Sequence, residues 1–353
     1  MEEKYVSMDS FLQRFDNVSG QMRFREKTVA EFIIWRTAVR SELCRLIGLD
    51  RLGTCEPNPQ IVERVDKIGY RQDKLLLQTE DGIIMPIYVL IPDVAVAQSA
   101  NGKSPVVVAP HGHGFGGMHA VSGIREVPEV AARIEECNCD YGLQLVKEGF
   151  IVFCPEARGF GQRRESLSQG KDKFLQSSCA QLNKMAMPLS ITVTGMWVHD
   201  LMRLLDYIES REDCDSDRIG CAGLSGGGLQ TLWLSALDDR IRCAVISGYF
   251  YGVRDSLLVQ SGNCSCNYIT GLWEKVDMGD IGALIAPRPI LVETGNRDGL
   301  NGSRGIDNVI EQLHVTRQAY AVHGAEENVH HDIFDGEHMW HGVESIPFLK
   351  SRV

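Results

Sequence analysis

The stretch Arg218-Ile-Gly-Cys-Ala-Gly-Leu-Ser-Gly-Gly-Gly228 joins a short apolar run to a serine that is flanked by glycines. The run predicts a buried strand and residues 227–237 predict a helix, so Ser225 stands at a sharp strand-to-helix turn. Such a turn strains the backbone, exposes the hydroxyl and needs small neighbours, which Gly223 and Gly227 provide. The pattern predicts a nucleophilic serine, and a plain tight turn in a glycine-rich loop is the alternative.

Short apolar runs separated by helix-length segments lie on both sides of this stretch. Such runs are typical of parallel strands that helices cover on both faces. Earlier, a D-G turn between the runs 74–78 and 83–91 predicts an antiparallel hairpin. The fold class is therefore α/β, a doubly wound and mostly parallel sheet with its site at the carboxyl ends of the strands. The predicted parallel strands are 105–109, 150–154, 218–222, 243–247, 289–293 and 329–334, and the predicted helices between them are 141–148, 194–209, 227–237 and 303–322.

The first part of the chain has a different pattern. Residues 24–49 have an apolar residue at every third or fourth position, which predicts a helix. We therefore expect an N-terminal helical extension over 1–65 and a catalytic domain over 66–353, with a cap insertion at 163–190. The apolar positions that define the first helix are Phe32, Trp35, Val39, Leu43 and Leu46.

Composition and charge exclude several classes of protein. The 353-residue chain is 44% hydrophobic, which is enough for a substantial core. Its net charge of −11 argues against a nucleic-acid partner and against an anionic membrane, because both require a positive surface. The charge favours a small-molecule substrate instead. The first residues lack the basic start and the apolar run of a secretory signal, so a cytoplasmic location is expected.

The eleven cysteines are odd in number and scattered, as in a reduced chain with buried thiols. Cys137 and Cys139, like Cys264 and Cys266, form a C-x-C pair that offers two metal ligands. Zinc sites usually space such cysteines as C-x₂₋₄-C. No metal and no cofactor is therefore predicted.

An acid and a histidine follow the serine in the chain order that this kind of site requires. Asp298 lies in a polar turn just after the strand 289–293, and His338 follows the strand 329–334. His338 would take the proton of Ser225, and Asp298 would hold the imidazole in the required tautomer. Three acids, Glu293, Asp332 and Asp335, and four histidines, His323, His330, His331 and His341, are the competitors.

Two backbone amides are candidates for the oxyanion hole. Gly226 begins the helix after the serine, where free N–H groups and the helix dipole favour negative charge. The second amide is expected from the loop after the strand 105–109, and we assign it to His113. The alternatives for His111 and His113 are ordinary loop residues or a two-histidine metal site without a carboxylate companion.

Four further residues near this edge of the sheet are interpreted as structural. Glu156 and Arg158 fit a buried ion pair that fixes the loop after the strand 150–154, with Arg158 as a ligand for a polar substrate group as the alternative. Trp197 and Asp200 are three positions apart on one helix face, which indicates packing and loop anchoring.

Together these segments resemble the α/β-hydrolase superfamily, and within it the acetyl xylan esterase-like and dienelactone hydrolase-related branch. The resemblance implies cleavage of carboxylic esters, often short acyl groups on sugars, without a cofactor. Glu337 stands where relatives often have glycine, and Ser225 stands where dienelactone hydrolases have cysteine. The matching segments are His111-Gly-His-Gly114, Pro155-Glu-Ala-Arg-Gly-Phe-Gly161, residues 215–228, Ala286-Pro-Arg-Pro-Ile290 and Gly336-Glu-His338.

The sequence thus predicts a serine-dependent carboxylic ester hydrolase that acts through an acyl-enzyme. Its expected partner is a small ester, such as an acylated sugar. A prolyl-oligopeptidase-like peptidase, a thioesterase and a catalytically silent binding protein on the same fold are the competing functions. For the N-terminal extension, a lid and homo-oligomerisation are the two roles that fit.

Overall fold

The protein is described here by a computed structural model, which covers residues 7–94, 102–165, 174–260 and 262–353. In these ranges nine strands form one sheet. The strands are β1 Gln60–Lys67, β2 Tyr70–Glu80, β3 Ile83–Pro92, β4 Ser104–Val108, β5 Ile151–Pro155, β6 Cys214–Leu224, β7 Cys243–Ser247, β8 Ile290–Gly295 and β9 Val329–Phe334.

Helices connect most of these strands, and several of them were not predicted from the sequence, among them the first one. The helices are α1 Met8–Val18, α2 Val29–Ile47, α3 Gly117–Val121, α4 Pro128–Cys137, α5 Tyr141–Lys147, α6 Cys179–Ala186, α7 Val193–Ser210, α8 Gly226–Leu237, α9 Leu272–Lys275, α10 Met278–Ala283, α11 Ile306–Val322 and α12 Ser345–Arg352. None of the helices in the described ranges is long and apolar enough to cross a membrane.

The sheet has the predicted doubly wound, mostly parallel topology. Its order is β1-β2-β3-β5-β4-β6-β7-β8-β9, with β1 to β3 and the β3–β5 pair antiparallel and the remaining pairs parallel. Strand β5 lies next to β4 on one side in the sheet, and the following strand, β6, lies next to β4 on the other side. Ligands in such sheets bind beyond the carboxyl ends of strands where the order reverses, here β4 and β6.

Helices cover both faces of the parallel strands, as their uninterrupted apolar runs require. In β7 every residue is buried. Ala244 and Ile246 belong to the core on one face, together with α2, α8 and α10, while Val245 belongs to the core on the other face, together with α5 and α12. Successive side chains of a strand point to opposite faces of the sheet, so neighbouring residues of β7 contribute to different cores.

Helix α2 packs on the first of these cores. Thr28 and Glu31 form a capping box at its start, and Gly48 ends it in the left-handed conformation. The predicted apolar positions of this helix are buried, except that the last buried position is Ile47 and not the predicted Leu46. Helix α2 thus shares a core with the sheet, whereas α1 has no buried residue. The division at residue 65 and the cap at 163–190 stay predictions. Residues 166–173 of that cap lie outside the described residues.

A buried ion network anchors the loop after β5. Asp200, on α7, accepts two hydrogen bonds from Arg158, at 2.7 and 2.9 Å, and one from Arg163 at 2.7 Å. Arg158 also pairs with Glu80 at 2.6 Å, and its carbonyl accepts from the indole of Trp197. The structure confirms the anchoring roles of Trp197 and Asp200. It corrects the predicted Glu156–Arg158 pair, because Arg158 binds these two acids instead.

Opposing effects set the charge of Asp200. Burial by itself would raise the pKa of this carboxyl, but Arg163 and Arg158 lower the pKa well below its usual range. A lowered pKa in the folded state means that the ionised carboxylate stabilises the fold above about pH 4 and that this contribution is lost on further acidification.

We therefore expect Asp200→Asn to lower the free energy of unfolding by about 3–5 kcal/mol, because it removes the counter-charge of buried Arg163 and leaves Arg158 with Glu80 alone. Asp206→Asn is the control on the same helix. Asp206 pairs with Arg203 and Arg240 with 38% of its side chain exposed, so a loss of about 1 kcal/mol or less is expected. Urea unfolding of both variants measures the difference, and equal losses would contradict this account.

Candidate active site

Ser225 lies at the turn between β6 and α8, as predicted. Its backbone has φ 61° and ψ −120°, a conformation that only glycine adopts readily. The amide of Ser225 donates to the carbonyl of Ser247 at 2.8 Å, which fixes the turn against the end of β7. Holding a non-glycine residue in this region costs about 1–3 kcal/mol, so neighbouring packing must maintain it.

That packing depends on glycines around the serine. A Cβ on Gly223 would lie 2.5 Å from the backbone of Gly227, and a Cβ on Gly227 would lie 2.2 Å from the carbonyl oxygen of Pro110. A Cβ on Gly226 would lie 2.5 Å from Nδ1 of His113. The turn, the start of α8 and the loop after β4 therefore approach each other more closely than any side chain would permit.

Asp298 and His338 are brought together next to this turn. Oδ2 of Asp298 lies 2.7 Å from Nδ1 of His338, and Oδ1 accepts from the amide of Leu300 at 2.8 Å. The Asp298 side chain is 2% exposed, while that of His338 is 25% exposed. The aspartate is thus fixed and shielded, and the histidine reaches from it towards the cavity.

Two more glycines let the histidine loop lie close to the sheet. A Cβ on Gly295, at the end of β8, would lie 2.4 Å from the carbonyl oxygen of Glu337. A Cβ on Gly248, just after β7, would lie 2.9 Å from Cε1 of His338. Phe115 stacks on the imidazole with the ring centroids 6.0 Å apart. Glu337, which precedes the histidine, is exposed.

A cavity of about 310 Å³ joins the predicted residues. It lies beyond the carboxyl ends of the parallel strands, where the reversal of strand order places a ligand site. Ser225, Gly226, His113 and His338 all line it, and Asp298 lies behind His338. Gly114, from the quoted motif after β4, also lines it. Sequence reasoning did not assign the rest of the wall, which comes from α4 and from loops far apart in the chain: Phe115, Arg133, Tyr249, Tyr251, Gly262, Asn263, Cys264, Asn267 and Leu300.

The competing acids have other partners. Buried Glu293 accepts from the amides of His341 and Gly342, at 3.3 and 2.7 Å, and so ties β8 to the segment after His338. Asp332 pairs with Nδ1 of His341 at 2.6 Å, a second aspartate–histidine pair whose two residues are not among those that line the cavity.

The competing histidines and Asp335 are likewise engaged elsewhere. His331 contacts Thr294 at 3.0 Å, and burial lowers the pKa of its imidazole to about 4. His330 packs on Phe348 and His323 on Phe32. Asp335 is exposed and pairs with Arg297.

His111 has a structural position. Its Nδ1 lies 2.9 Å from the carbonyl oxygen of Gly112, and its Nε2 lies 3.1 Å both from the amide of Ala157 and from Oε1 of Glu156. Glu156 is fully buried, so these contacts join the loop after β4 to the loop after β5. The carboxylate that the His111–Gly114 loop lacks is thus supplied by Glu156 from the loop after β5.

A cluster that the sequence did not indicate lies against the cavity wall. Nε2 of His113 is 3.3 Å from Sγ of Cys266 and 3.8 Å from Sγ of Cys179. With Sγ of Cys264, these atoms all lie within 4.8 Å of one another. Burial raises the pKa of the Cys266 thiol. In the sequence, His113 is 66 residues from Cys179 and 153 from Cys266, so no local spacing reveals the group.

The architecture and the position of the cavity define a protein of the α/β-hydrolase fold. The chain belongs to the abhydrolase family, since the model of that family matches residues 1–344. That match includes the N-terminal helices. The chain is also 30% identical to a Bacillus subtilis (strain 168) protein named "Putative hydrolase YtaP", over 82% of this chain and 89% of that protein. The resemblance to the superfamily is confirmed.

Solved structures show the same fold. A protein described as a putative acetyl xylan esterase from Bacteroides fragilis superposes with a TM-score of 0.77, at 18% identity over 99% of this chain and 90% of the other. A glucuronoyl esterase from Solibacter usitatus superposes with a TM-score of 0.63, at 16% identity over 90% of this chain and 93% of the other. At these identities the likeness concerns the fold.

If Ser225 is an activated nucleophile, a fluorophosphonate probe should label the peptide that contains it, and Ser225→Ala should abolish labelling. We expect His338→Ala to slow labelling at least about 10²-fold, because the proton acceptor is lost. His341→Ala is the matched control, since His341 forms the second aspartate–histidine pair, and it should label at the wild-type rate. Intact-mass and peptide mass spectrometry measure both. Equal slowing in the two variants would contradict the assignment of His338.

Proposed function

We propose that this chain is a serine-dependent carboxylic ester hydrolase with Ser225, His338 and Asp298 as its catalytic triad. The observation that carries the proposal is the state of the imidazole. Its Nδ1 is held by Asp298, while its Nε2 is buried and, among the described residues, accepts no hydrogen bond. Nε2 is thus available to the hydroxyl of Ser225, which lines the same cavity.

Acylation follows from these positions. As Oγ of Ser225 attacks the ester carbonyl, Nε2 of His338 takes its proton, and Asp298 stabilises the resulting imidazolium. The carbonyl oxygen gains negative charge and requires donors that already point at it. His338 then gives the proton to the leaving alcohol, which departs and leaves an acyl group on Ser225.

The amides of Gly226 and His113 are the proposed oxyanion donors. Gly226 is the first residue of α8, so its N–H has no acceptor inside the helix. The closeness of the His113 ring to Gly226 holds the loop after β4 beside this helix start. Each donor of this kind contributes about 10²–10³ in turnover.

Deacylation repeats the same chemistry with water. Nε2 of His338 takes a proton from a water molecule as its oxygen attacks the acyl carbon, and the proton then returns to Oγ of Ser225 as the carboxylic acid leaves. No group outside the triad and the two amides is required. A cofactor is therefore not part of the proposal.

The size and polarity of the cavity favour a short acyl group on a polar alcohol. Its volume of about 310 Å³ is at the lower end for small-molecule sites. Arg133, Asn263 and Asn267 supply polar atoms in its wall, and the buried hydroxyl of Tyr249 is held by Asn267 at 2.7 Å. The fold neighbours that are named for carbohydrate esters agree with an acylated sugar as the substrate class.

The thiols favour a reducing compartment. All eleven cysteines are free and most of them are buried, which fits the cytoplasm better than an oxidising location.

The activity can be tested with p-nitrophenyl acetate, butyrate and octanoate, with acetylated xylo-oligosaccharides and a glucuronate methyl ester in parallel. We expect turnover to fall as the acyl chain lengthens, because the cavity is small, and Ser225→Ala to lose nearly all activity. Asp298→Asn should lose about 10³–10⁴ of kcat, because the imidazole loses its orientation. Asp335→Asn, an exposed neighbour of the histidine loop, is the control and should match the wild type.

Each alternative outcome has a definite meaning. Activity that survives in Ser225→Ala would contradict the nucleophile, and equal activity in Asp298→Asn and the wild type would contradict the acid. Cleavage of the glucuronate ester instead of the acetyl esters would retain the mechanism and change the substrate. Cleavage of peptides or thioesters alone would favour those competing functions.

A further inference from the structure

Three separate segments meet at the cluster formed by His113, Cys179, Cys264 and Cys266. His113 belongs to the loop after β4, Cys179 begins α6, and the other two cysteines lie in the loop before α9. Cys179 and Cys266 are buried, while His113 and Cys264 are partly exposed. The cluster thus joins two segments of the cavity wall, those of His113 and Cys264, to the start of α6.

The two distances from Nε2 of His113 to a cysteine sulfur are close to those of a tetrahedral zinc site. With Zn–S bonds of about 2.3 Å and Zn–N bonds of about 2.0–2.1 Å, sulfurs around a zinc ion lie about 3.8 Å apart and a sulfur and a nitrogen about 3.6 Å apart. The observed nitrogen-to-sulfur distances, 3.3 and 3.8 Å, lie on either side of that value. No pair of ligand atoms is more than 4.8 Å apart.

The chemistry of the group also points to a metal. Thiols are weak hydrogen-bonding groups, so three of them around one imidazole nitrogen satisfy that nitrogen poorly. A soft d¹⁰ cation accepts all four as ligands, and Cys₃His is an established ligand set for structural zinc. The other C-x-C pair, Cys137 and Cys139, belongs to no such group in the described part of the chain.

We propose that His113, Cys179, Cys264 and Cys266 form a Cys₃His site for zinc. The four protein ligands complete the coordination, so the ion has a structural role and does not bind substrate. It fastens α6 and the loop before α9 to the loop that contains His113. Since the amide of His113 is the proposed oxyanion donor, the site holds that amide in position, but metal binding itself does not depend on the proposed hydrolase function.

The metal content of the purified full chain tests this site directly. The protein is produced in zinc-supplemented medium, without a polyhistidine tag and without chelator, and analysed by inductively coupled plasma mass spectrometry. We expect about one zinc per chain in the wild type, as a single four-ligand site requires, and far less in Cys266→Ser and Cys264→Ser. Cys137→Ser, from the other C-x-C pair, is the matched control and should retain the wild-type content.

A serine variant that fails to fold would also lose metal, so a replacement ligand is needed. Cys264→His keeps four ligands as a Cys₂His₂ set and should retain zinc where Cys264→Ser loses it. In the wild type, replacement of zinc by cobalt should give the visible absorption of a tetrahedral ion and a thiolate-to-cobalt charge-transfer band.

Several results would overturn the site. The first is wild-type protein that lacks stoichiometric zinc and also fails to take up cobalt. The second is equal zinc content in the wild type and Cys264→Ser. The third is a disulfide between two of the three cysteines in protein purified without reductant. Because metal content is measured without substrate, these failures leave the proposed esterase untouched. An inactive protein with one bound zinc would likewise retain the site.

Discussion

The close approach of backbones around Ser225 is the constraint on which the rest of the site depends. Gly223 allows the turn to close on its own helix, Gly226 admits the His113 ring, and Gly227 admits the carbonyl of Pro110. Each contact is shorter than a Cβ would permit, so the serine keeps its strained φ only while three segments remain packed together. The packing that strains Ser225 also brings the loop after β4 beside the start of α8.

The same principle extends to the histidine. Gly248 and Gly295 let the loop with His338 lie on the ends of β7 and β8, where Asp298 is already fixed by the amide of Leu300. The elements at this edge are neighbours in the sheet but distant in the chain, as the strand order shows. The proposed triad is therefore a product of sheet topology, and close loop packing brings Asp298 and His338 within hydrogen-bonding distance.

Local signals explain what could be predicted from the sequence. An apolar strand followed by a polar turn is visible within about ten residues, and this pattern located β6, β8 and β9 together with Ser225, Asp298 and His338. The cavity wall and the Cys₃His group depend on contacts between residues far apart in the chain, for which no spacing rule exists. The two C-x-C pairs look alike in sequence, and only tertiary structure places one of them beside His113. Asp332 and His341 show the opposite case. Both were candidates from the sequence and they form an aspartate–histidine pair, but neither is among the residues that line the cavity.

In the proposed mechanism, an ester is cleaved through an acyl group on Ser225. Rapid quenching of the wild type during turnover of p-nitrophenyl acetate, followed by mass spectrometry of the protein and its peptides, tests this most directly. We expect a single acetyl group on the peptide with Ser225 that forms faster than it decays early in the reaction and disappears when substrate is exhausted. Steady turnover with no adduct, or with an adduct on another residue, would contradict it.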